Sequence, residues 1–289
     1  MIITKLRLEE EHPMVGPLRP YPLPIVDLNL DSSAGDNGYT LNKSSGLGPP
    51  TLSKVVTGFD STGIPIFDNV PQKRQIGLKI SITPHLGQVY GDLRDQLYKM
   101  VSRSIFIRFM NGAEIIAQTT GFIKNVVPDM FTNKPEIVLD IECTEGDLKG
   151  PDAFDIPLAT LNTLTPVIIY EKGTAPTGLD LTYAVTATHS GFTISNHGEF
   201  WHVGDADVNN QFIVSYTFLN GDIITISTHP RNKRIIRTRS GVDLDLAGYI
   251  NPGAVWPKLY SGVNSFSWTF ASSWGHFTAA SYIPRYWGV

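Results

Sequence analysis

Ile76-Gly77-Leu78-Lys79-Ile80-Ser81-Ile82 places every large apolar side chain on an even number. A period of two is the signature of a strand with one buried face. Its neighbours in sequence repeat the signal. Ile105-Phe106-Ile107-Arg108-Phe109-Met110 runs into Asn111-Gly112, a strong short hairpin signal, and Ile115-Ile116 continues on the return strand. Phe122 to Val127 and Ile137 to Cys143 read as two further strands. Between the first two strands lies the one helix the pattern supports. Asp92 suits its N-cap, and Leu93, Leu97, Met100 and Val101 recur at helical spacing, so this stripe is expected to lie against the sheet.

The pattern changes on either side of this block. The first forty residues read as an extended arm, because Pro13, Pro17, Pro20, Pro22 and Pro24 disfavour both helix and central strand. Asp27-Leu28-Asn29-Leu30 alternates briefly, and Asp36-Asn37-Gly38 is a turn. Pro151, Pro157 and Pro166 mark a boundary between two apolar runs. Beyond it, Leu179 to Val185, Phe212 to Tyr216 and Ile223 to Ser227 read as strands, with Asn220-Gly221 as a second hairpin signal, and Phe266, Trp268 and Phe270 alternate. Many short strands with such turns imply a sandwich or jelly-roll-like domain. The expected fold class is therefore mainly β. Residues 1–160 would form a β-sandwich or barrel-like domain with one helix and an arm, and residues 161–289 a C-terminal β-sandwich.

Composition narrows the function. The 289 residues are 42% apolar and 17% charged, which is enough for real cores and below the usual quarter of charged residues. Low charge fits a surface covered by partners. A net charge of −4 with a pI near 6.0 gives no basic footprint for nucleic acid. The single cysteine, Cys143, rules out an internal disulfide and a Cys-based zinc site. Met1 to Glu11 has no apolar signal-peptide core, and no run of about 18 apolar residues exists to span a membrane.

Catalytic signatures are missing: neither GxxxxGK[ST], GxGxxG, Gly-x-Ser-x-Gly nor His-Glu-x-x-His occurs. His197, Glu199, His202, Asp205 and Asp207 cluster within eleven residues, but their spacing matches no ligand pattern, so an ordinary polar loop outweighs a metal site. Asp243 and Asp245 share a strand face, and solvated positions outweigh paired catalytic carboxylates. The basic run Arg231, Lys233, Arg234, Arg237 and Arg239 has no interleaved aromatics and suits a protein interface better than nucleic acid. All five tryptophans, Trp201, Trp256, Trp268, Trp274 and Trp287, lie after residue 160. Trp268 reads as core, whereas Trp274, in a Ser-Ser-Trp-Gly loop, is the candidate ligand contact. No catalytic residue, cofactor or metal is expected.

The order of short motifs is more specific. Ser45-Gly46-Leu47-Gly48-Pro49-Pro50, Gly63, Arg74-Gln75-Ile76, Leu93-Arg94-Asp95-Gln96-Leu97-Tyr98, Gly121-Phe122-Ile123 and Asp140-Ile141-Glu142-Cys143 resemble the N-terminal half of the distal tail proteins of long-tailed, siphovirus-type bacteriophages. Gly221-Asp222-Ile223-Ile224-Thr225-Ile226, Arg239-Ser240-Gly241, the Trp256-Pro257-Lys258-Leu259-Tyr260-Ser261-Gly262-Val263-Asn264 element and the ending Pro284-Arg285-Tyr286-Trp287-Gly288-Val289 look like the C-terminal domain of the same proteins. The resemblance spans nearly the whole chain. It implies a structural virion protein, made in the host cytoplasm and placed at the tail tip. There a baseplate hub, usually a hexameric ring, joins the tail tube protein to the central tip or spike protein. The C-terminal domain would be galectin-like, facing outwards towards receptor-binding proteins or fibres.

Two expectations concern residues. Arg285, Tyr286 and Trp287 are types enriched at interface hot spots, so the tail is either a partner interface or a last strand locked into its own domain. Trp274 serves an alternative reading, a carbohydrate-binding adhesin module. A hydrolase built on the His197–Asp207 cluster or on Asp243 and Asp245 is the weakest of the three readings.

Overall fold

The structure, a computed structural model, describes residues 3–10, 25–30, 38–59, 65–101, 103–129, 136–163, 167–199, 211–230, 232–268 and 274–288. The prolines of the expected arm, Gly63, Trp201 and residues 202–207 of the histidine cluster lie outside these. The chain divides into two compact units: Met1–Ser53, Pro71–Pro151 and Tyr286–Val289 form one, and Lys54–Val70 and Asp152–Arg285 the other.

The first unit is built on β1 (Lys5–Glu10), β2 (Ile25–Asn29), β3 (Tyr39–Ser45), β6 (Gln75–Ile82), α1 (Tyr90–Lys99), β7 (Ser104–Asn111), β8 (Glu114–Asp129), β9 (Glu136–Cys143) and β10 (Leu148–Lys149). A two-stranded ribbon, β4 (Leu52–Phe59) with β5 (Pro65–Pro71), intervenes between β3 and β6. Strand order β8-β7-β1-β2-β3-β6-β9, with β9 pairing back onto β8, closes a seven-stranded barrel. Its interior follows from the alternation: Ile76, Leu78, Ile80 and Ile82 of β6 are buried, as are Ile137, Leu139 and Ile141 of β9. Burial of each such side chain contributes roughly 1.5–3 kcal/mol. The expected arm is corrected at two places. Leu6, Leu8, Val26 and Leu28 also alternate and are fully buried, so β1 and β2 are barrel strands flanking the proline-rich stretch.

Helix α1 sits on this core as expected, with Leu93, Leu97 and Met100 buried. Its start differs from the sequence reading. Val89 is the N-cap and makes no side-chain cap bond, while Asp92 lies in the first turn, where its charge complements the helix dipole. Tyr39 Oη donates to Leu93 O at 2.7 Å, anchoring the helix to β3. The two strands expected at 115–116 and 122–127 are one 16-residue strand, β8. Its first half pairs with β7 and its second with β9. Gly121 sits at the crossover, where an added Cβ would stand 2.7 Å from Glu142 O and 3.1 Å from Cys143 Cα. The apparent break in the hydrophobic pattern is therefore the seam that closes the barrel.

The second unit contains β11 (Phe154–Asp155), α2 (Leu158–Thr163), β12 (Val167–Glu171), β13 (Asp180–Val185), β14 (His189–Glu199), β15 (Gln211–Phe218), β16 (Ile223–Ser227), β17 (Arg234–Arg239), β18 (Val242–Asp245), β19 (Gly262–Trp268) and β20 (Gly275–Tyr282). A six-stranded sheet, β11-β20-β13-β16-β17-β18, faces a four-stranded one, β12-β19-β14-β15. Their shared core includes Leu181, Tyr183, Ile194, Phe212, Val214, Ile224, Ile226, Phe266 and Trp268, the arrangement of a β-sandwich. α2 and a one-turn 3-10 helix at Ala247–Tyr249 add to the helix expected from sequence. Asn220-Gly221 is a turn but makes no hairpin. It carries the chain from β15 in one sheet to β16 in the other, with Asp222 buried behind it.

Candidate partner interface

The last strand, β21 (Arg285–Tyr286), joins the barrel sheet beside β10. Arg285 is buried, and its carbonyl accepts from the N–H groups of Thr174 and Ala175, both at 2.9 Å. Tyr286 and Trp287 belong to the first unit and are part exposed. A residue outside the tail determines where Trp287 goes. Arg74 is 4% exposed and donates to four carbonyls: Nε to Gly146 O (2.9 Å), Nη1 to Gly46 O (2.6 Å) and Gly48 O (2.7 Å), and Nη2 to Trp287 O (2.7 Å). Burial pushes its pKa down, opposed by the nearby Cys143 and Asp147, and a guanidinium stays charged throughout. Gly46 takes a left-handed φ of +76°, and a Cβ there would meet Gln75 O at 1.8 Å. At Gly288 a Cβ would lie 2.7 Å from Leu47 O. Arg74 thus brings together three of the sequence motifs, Ser45–Pro50, Arg74–Ile76 and Pro284–Val289, which no local pattern links.

The Trp256–Asn264 motif also acts through one polar side chain. Asn264 is fully buried; its Oδ1 accepts from Tyr260 N (2.8 Å), and its Nδ2 donates to Tyr260 O (2.7 Å) and Gly262 O (3.2 Å). Trp256 packs on Phe212 with centroids 4.6 Å apart, and Leu259 pairs with Thr177. Trp274 lies in the second unit. Its ring stacks on His189 at 4.8 Å and 17°, and its carbonyl accepts from Thr186 N at 2.7 Å. One ring face is therefore occupied by protein.

Two residues of the basic run, Arg237 and Arg239, are engaged inside the second unit, and Arg231 lies outside the described residues. Arg239 forms a two-point pair with fully buried Asp222, Nε to Oδ1 at 2.5 Å and Nη2 to Oδ2 at 2.7 Å. Burial pushes the Asp222 pKa up, but Arg239 and the Leu219 N–H outweigh it, and the net shift is downward. Arg237 turns onto Tyr216. Asp243 and Asp245 are exposed, and each accepts a local hydrogen bond, from Thr238 Oγ1 and Ala247 N. Among the described residues no group of three His, Cys, Asp or Glu is placed to hold a metal, and no helix is long and apolar enough to cross a membrane. Sequence reading missed Arg74 and Asn264 as organising residues. The only signal for either was its place within a motif.

No family model matches the chain, and no curated protein does. Solved structures do. The crystal structure of the SPP1 Dit protein, described as a paradigm of hub adsorption apparatus in phages infecting Gram-positive hosts, aligns with a TM-score of 0.51 at 11% identity, over 86% of this chain and 94% of its own. Two structures of the phage P2 baseplate in its activated conformation, with Ca and with Sr, align over 99% and 98% of this chain and 98% of theirs. Their identity is 10% in each case and their TM-scores are 0.38 and 0.37. What the chain shares with SPP1 Dit at this identity is its fold, mainly β with a closed barrel in the first unit.

Proposed function

We propose that the chain is a distal tail hub protein of a long-tailed phage, a structural subunit at the distal end of the virion tail and not an enzyme. The observation that carries this reading is the shared fold with SPP1 Dit over 86% of the chain, spanning both units. In this reading, identical copies form a hexameric ring through heterologous interfaces that close by rotation. The ring joins the tail tube protein on one side to the central tip or spike protein on the other. The C-terminal sandwich faces outwards and carries receptor-binding proteins or fibres. Two features support the reading. The barrel has paired strands all round, which suppresses open-ended strand addition. Its outer face also carries charged pairs, Lys79 with Glu136 at 2.5 Å and Glu142 between Lys73 and Lys124, at 3.4 and 3.6 Å.

Within this reading Tyr286 and Trp287 are the tail residues able to reach a neighbour, whereas Arg285 acts within its own subunit. Light scattering and negative-stain imaging of the purified chain at micromolar concentration test the proposal. A ring of fixed stoichiometry with a central channel is expected. A strict monomer, alone and with the neighbouring tail proteins, would refute it. Trp287→Ala should weaken the ring without unfolding the subunit, because the substitution keeps the carbonyl that Arg74 holds.

A further inference from the structure

A row of rings crosses the second unit. Tyr249 meets Tyr216 edge-on (4.8 Å, 75°), Tyr216 meets Phe218 (5.1 Å, 66°), Phe218 stacks on His189 (5.2 Å, 26°), and His189 stacks on Trp274 (4.8 Å, 17°). Its exposed end is set by a bulge. β14 and β15 pair Ser190 with Thr217 and Phe192 with Val214, so Gly191 alone faces Ser215 and Tyr216. Gly191 has φ +77°, and a Cβ there would stand 2.4 Å from Val214 O, so only glycine fits. Such a bulge re-aims side chains. Here Ser215 and Thr217 come to the surface on either side of a half-buried Tyr216. Asn251 pairs its N–H with Ile213 O, and its Oδ1 accepts from Ser215 Oγ at 2.7 Å, which brings the preceding Tyr249 over the second half of β15.

The result is a shallow, solvent-open groove of about 630 Å³ lined by Ser190, Ser215, Tyr216, Thr217 and Tyr249. That volume is within the range of small-molecule sites. Every lining side chain carries a hydroxyl, and none carries a charge at neutral pH. Arg237 Nη2 donates to Tyr216 Oη at 3.0 Å, and its guanidinium carbon lies 5.8 Å from the ring centroid. A guanidinium only donates, so Tyr216 accepts that bond and keeps its own proton for the groove. Ser215 gives its proton to Asn251 and keeps its lone pairs. Tyr249 is 44% exposed.

This surface suits a ligand that is neutral, whose polar groups each donate and accept, and that has an apolar C–H face. We propose that the groove binds a neutral saccharide, one sugar ring stacked on Tyr249 with its hydroxyls bonded to Tyr216, Ser215 and Thr217. An anion finds no cation among the lining residues, and an apolar peptide would leave the remaining hydrogen-bonding capacity of these hydroxyls unused. Because the groove is open, it accepts an internal unit of a polysaccharide as well as a free oligosaccharide. A single shallow site binds weakly. Several copies in the proposed ring would raise the overall affinity by multivalency, and only that step rests on the hub reading.

The test is ligand-observed and amide NMR of the full chain with maltotriose, lactose and N,N′-diacetylchitobiose as free probes, and with soluble dextran as a chain probe. At least one probe is expected to bind at millimolar concentration and to shift the amides of Ser190, Ser215, Thr217 and Tyr249. Tyr249→Ala should weaken binding at least about tenfold, the loss of one stacked ring. Tyr249→Phe should retain most of it, with the thermal midpoint of the wild type. Binding of the free sugars alone assigns the site to oligosaccharides, and binding of dextran to internal units. Failure of every probe, tighter binding of glucuronate than of the neutral sugars, or binding lost in Trp274→Ala but kept in Tyr249→Ala overturns the assignment. None of these outcomes depends on whether the chain forms a ring.

Discussion

Arg74 shows how one side chain can set the path of a distant segment. Its fork of donors ties together four carbonyls from three separate stretches of chain. Lysine keeps the charge but cannot present that fork. Arg74→Lys is expected to destabilise the first unit by about 3 kcal/mol, the loss of one or two charge-assisted bonds. It should also speed hydrogen exchange at residues 286–288, and exchange at wild-type rates there would contradict the clamp. Glu171, at the end of β12, poses the opposite problem. It is 1% exposed, and neither oxygen has a hydrogen-bond partner of ordinary geometry. Burial raises its pKa from 4.5 to about 7, with the nearby Gly173 N–H only partly opposing. The folded state therefore holds a proton that the unfolded state has released between these values. Stability should fall as pH rises from about 4.5 to about 7 and level off above. Glu171→Gln should remove that slope and gain up to about 3 kcal/mol at pH 8, read from urea midpoints across pH. An unchanged slope in the variant would exclude Glu171 as its source.

At the scale of elements, the two Asn-Gly signals separate what a turn motif encodes from what it does not. Asn111-Gly112 closes the β7–β8 hairpin, with Gly112 at φ +60°. Asn220-Gly221 supplies the same kind of turn, with Gly221 at φ +90°, yet the flanking strands enter different sheets. Long-range pairing decides the partner: β16 lies between β13 and β17, and Asp222 is held by Arg239. β8 carries the matching lesson. Alternation identified both its halves, but Thr119-Thr120-Gly121 reads locally as a break, because the requirement for glycine comes from β9 on the far side of the barrel. Gly121→Val would press two methyl groups against backbone that cannot yield. It is expected to cost about 3 kcal/mol in a urea titration, whereas Gly48→Ala, with nothing within 4 Å, leaves the midpoint unchanged. Equal midpoints for the two variants would show that β9 does not constrain this position.

For the whole molecule, the mainly β class and the single long helix were legible because they rest on periodicity, which is local. Barrel closure was not, since it depends on which strands meet last. The candidate surfaces were legible only as residue types. Trp274 is a partly buried ring stacked on histidine, and the more exposed Tyr249 drew no attention, because its setting depends on a bulge two strands away. The Arg74–Trp287 bond has a further consequence in time. These partners are 213 residues apart. At common rates of translation the ribosome needs roughly 10 to 40 seconds to travel from one to the other. Through that interval the guanidinium has one carbonyl too few, and Leu47 and Gly48 lack the close approach of Gly288. A nascent chain that terminates early would keep both defects. The clamp thus closes only after residues 287 and 288 have been made, and the first unit stays incomplete until then.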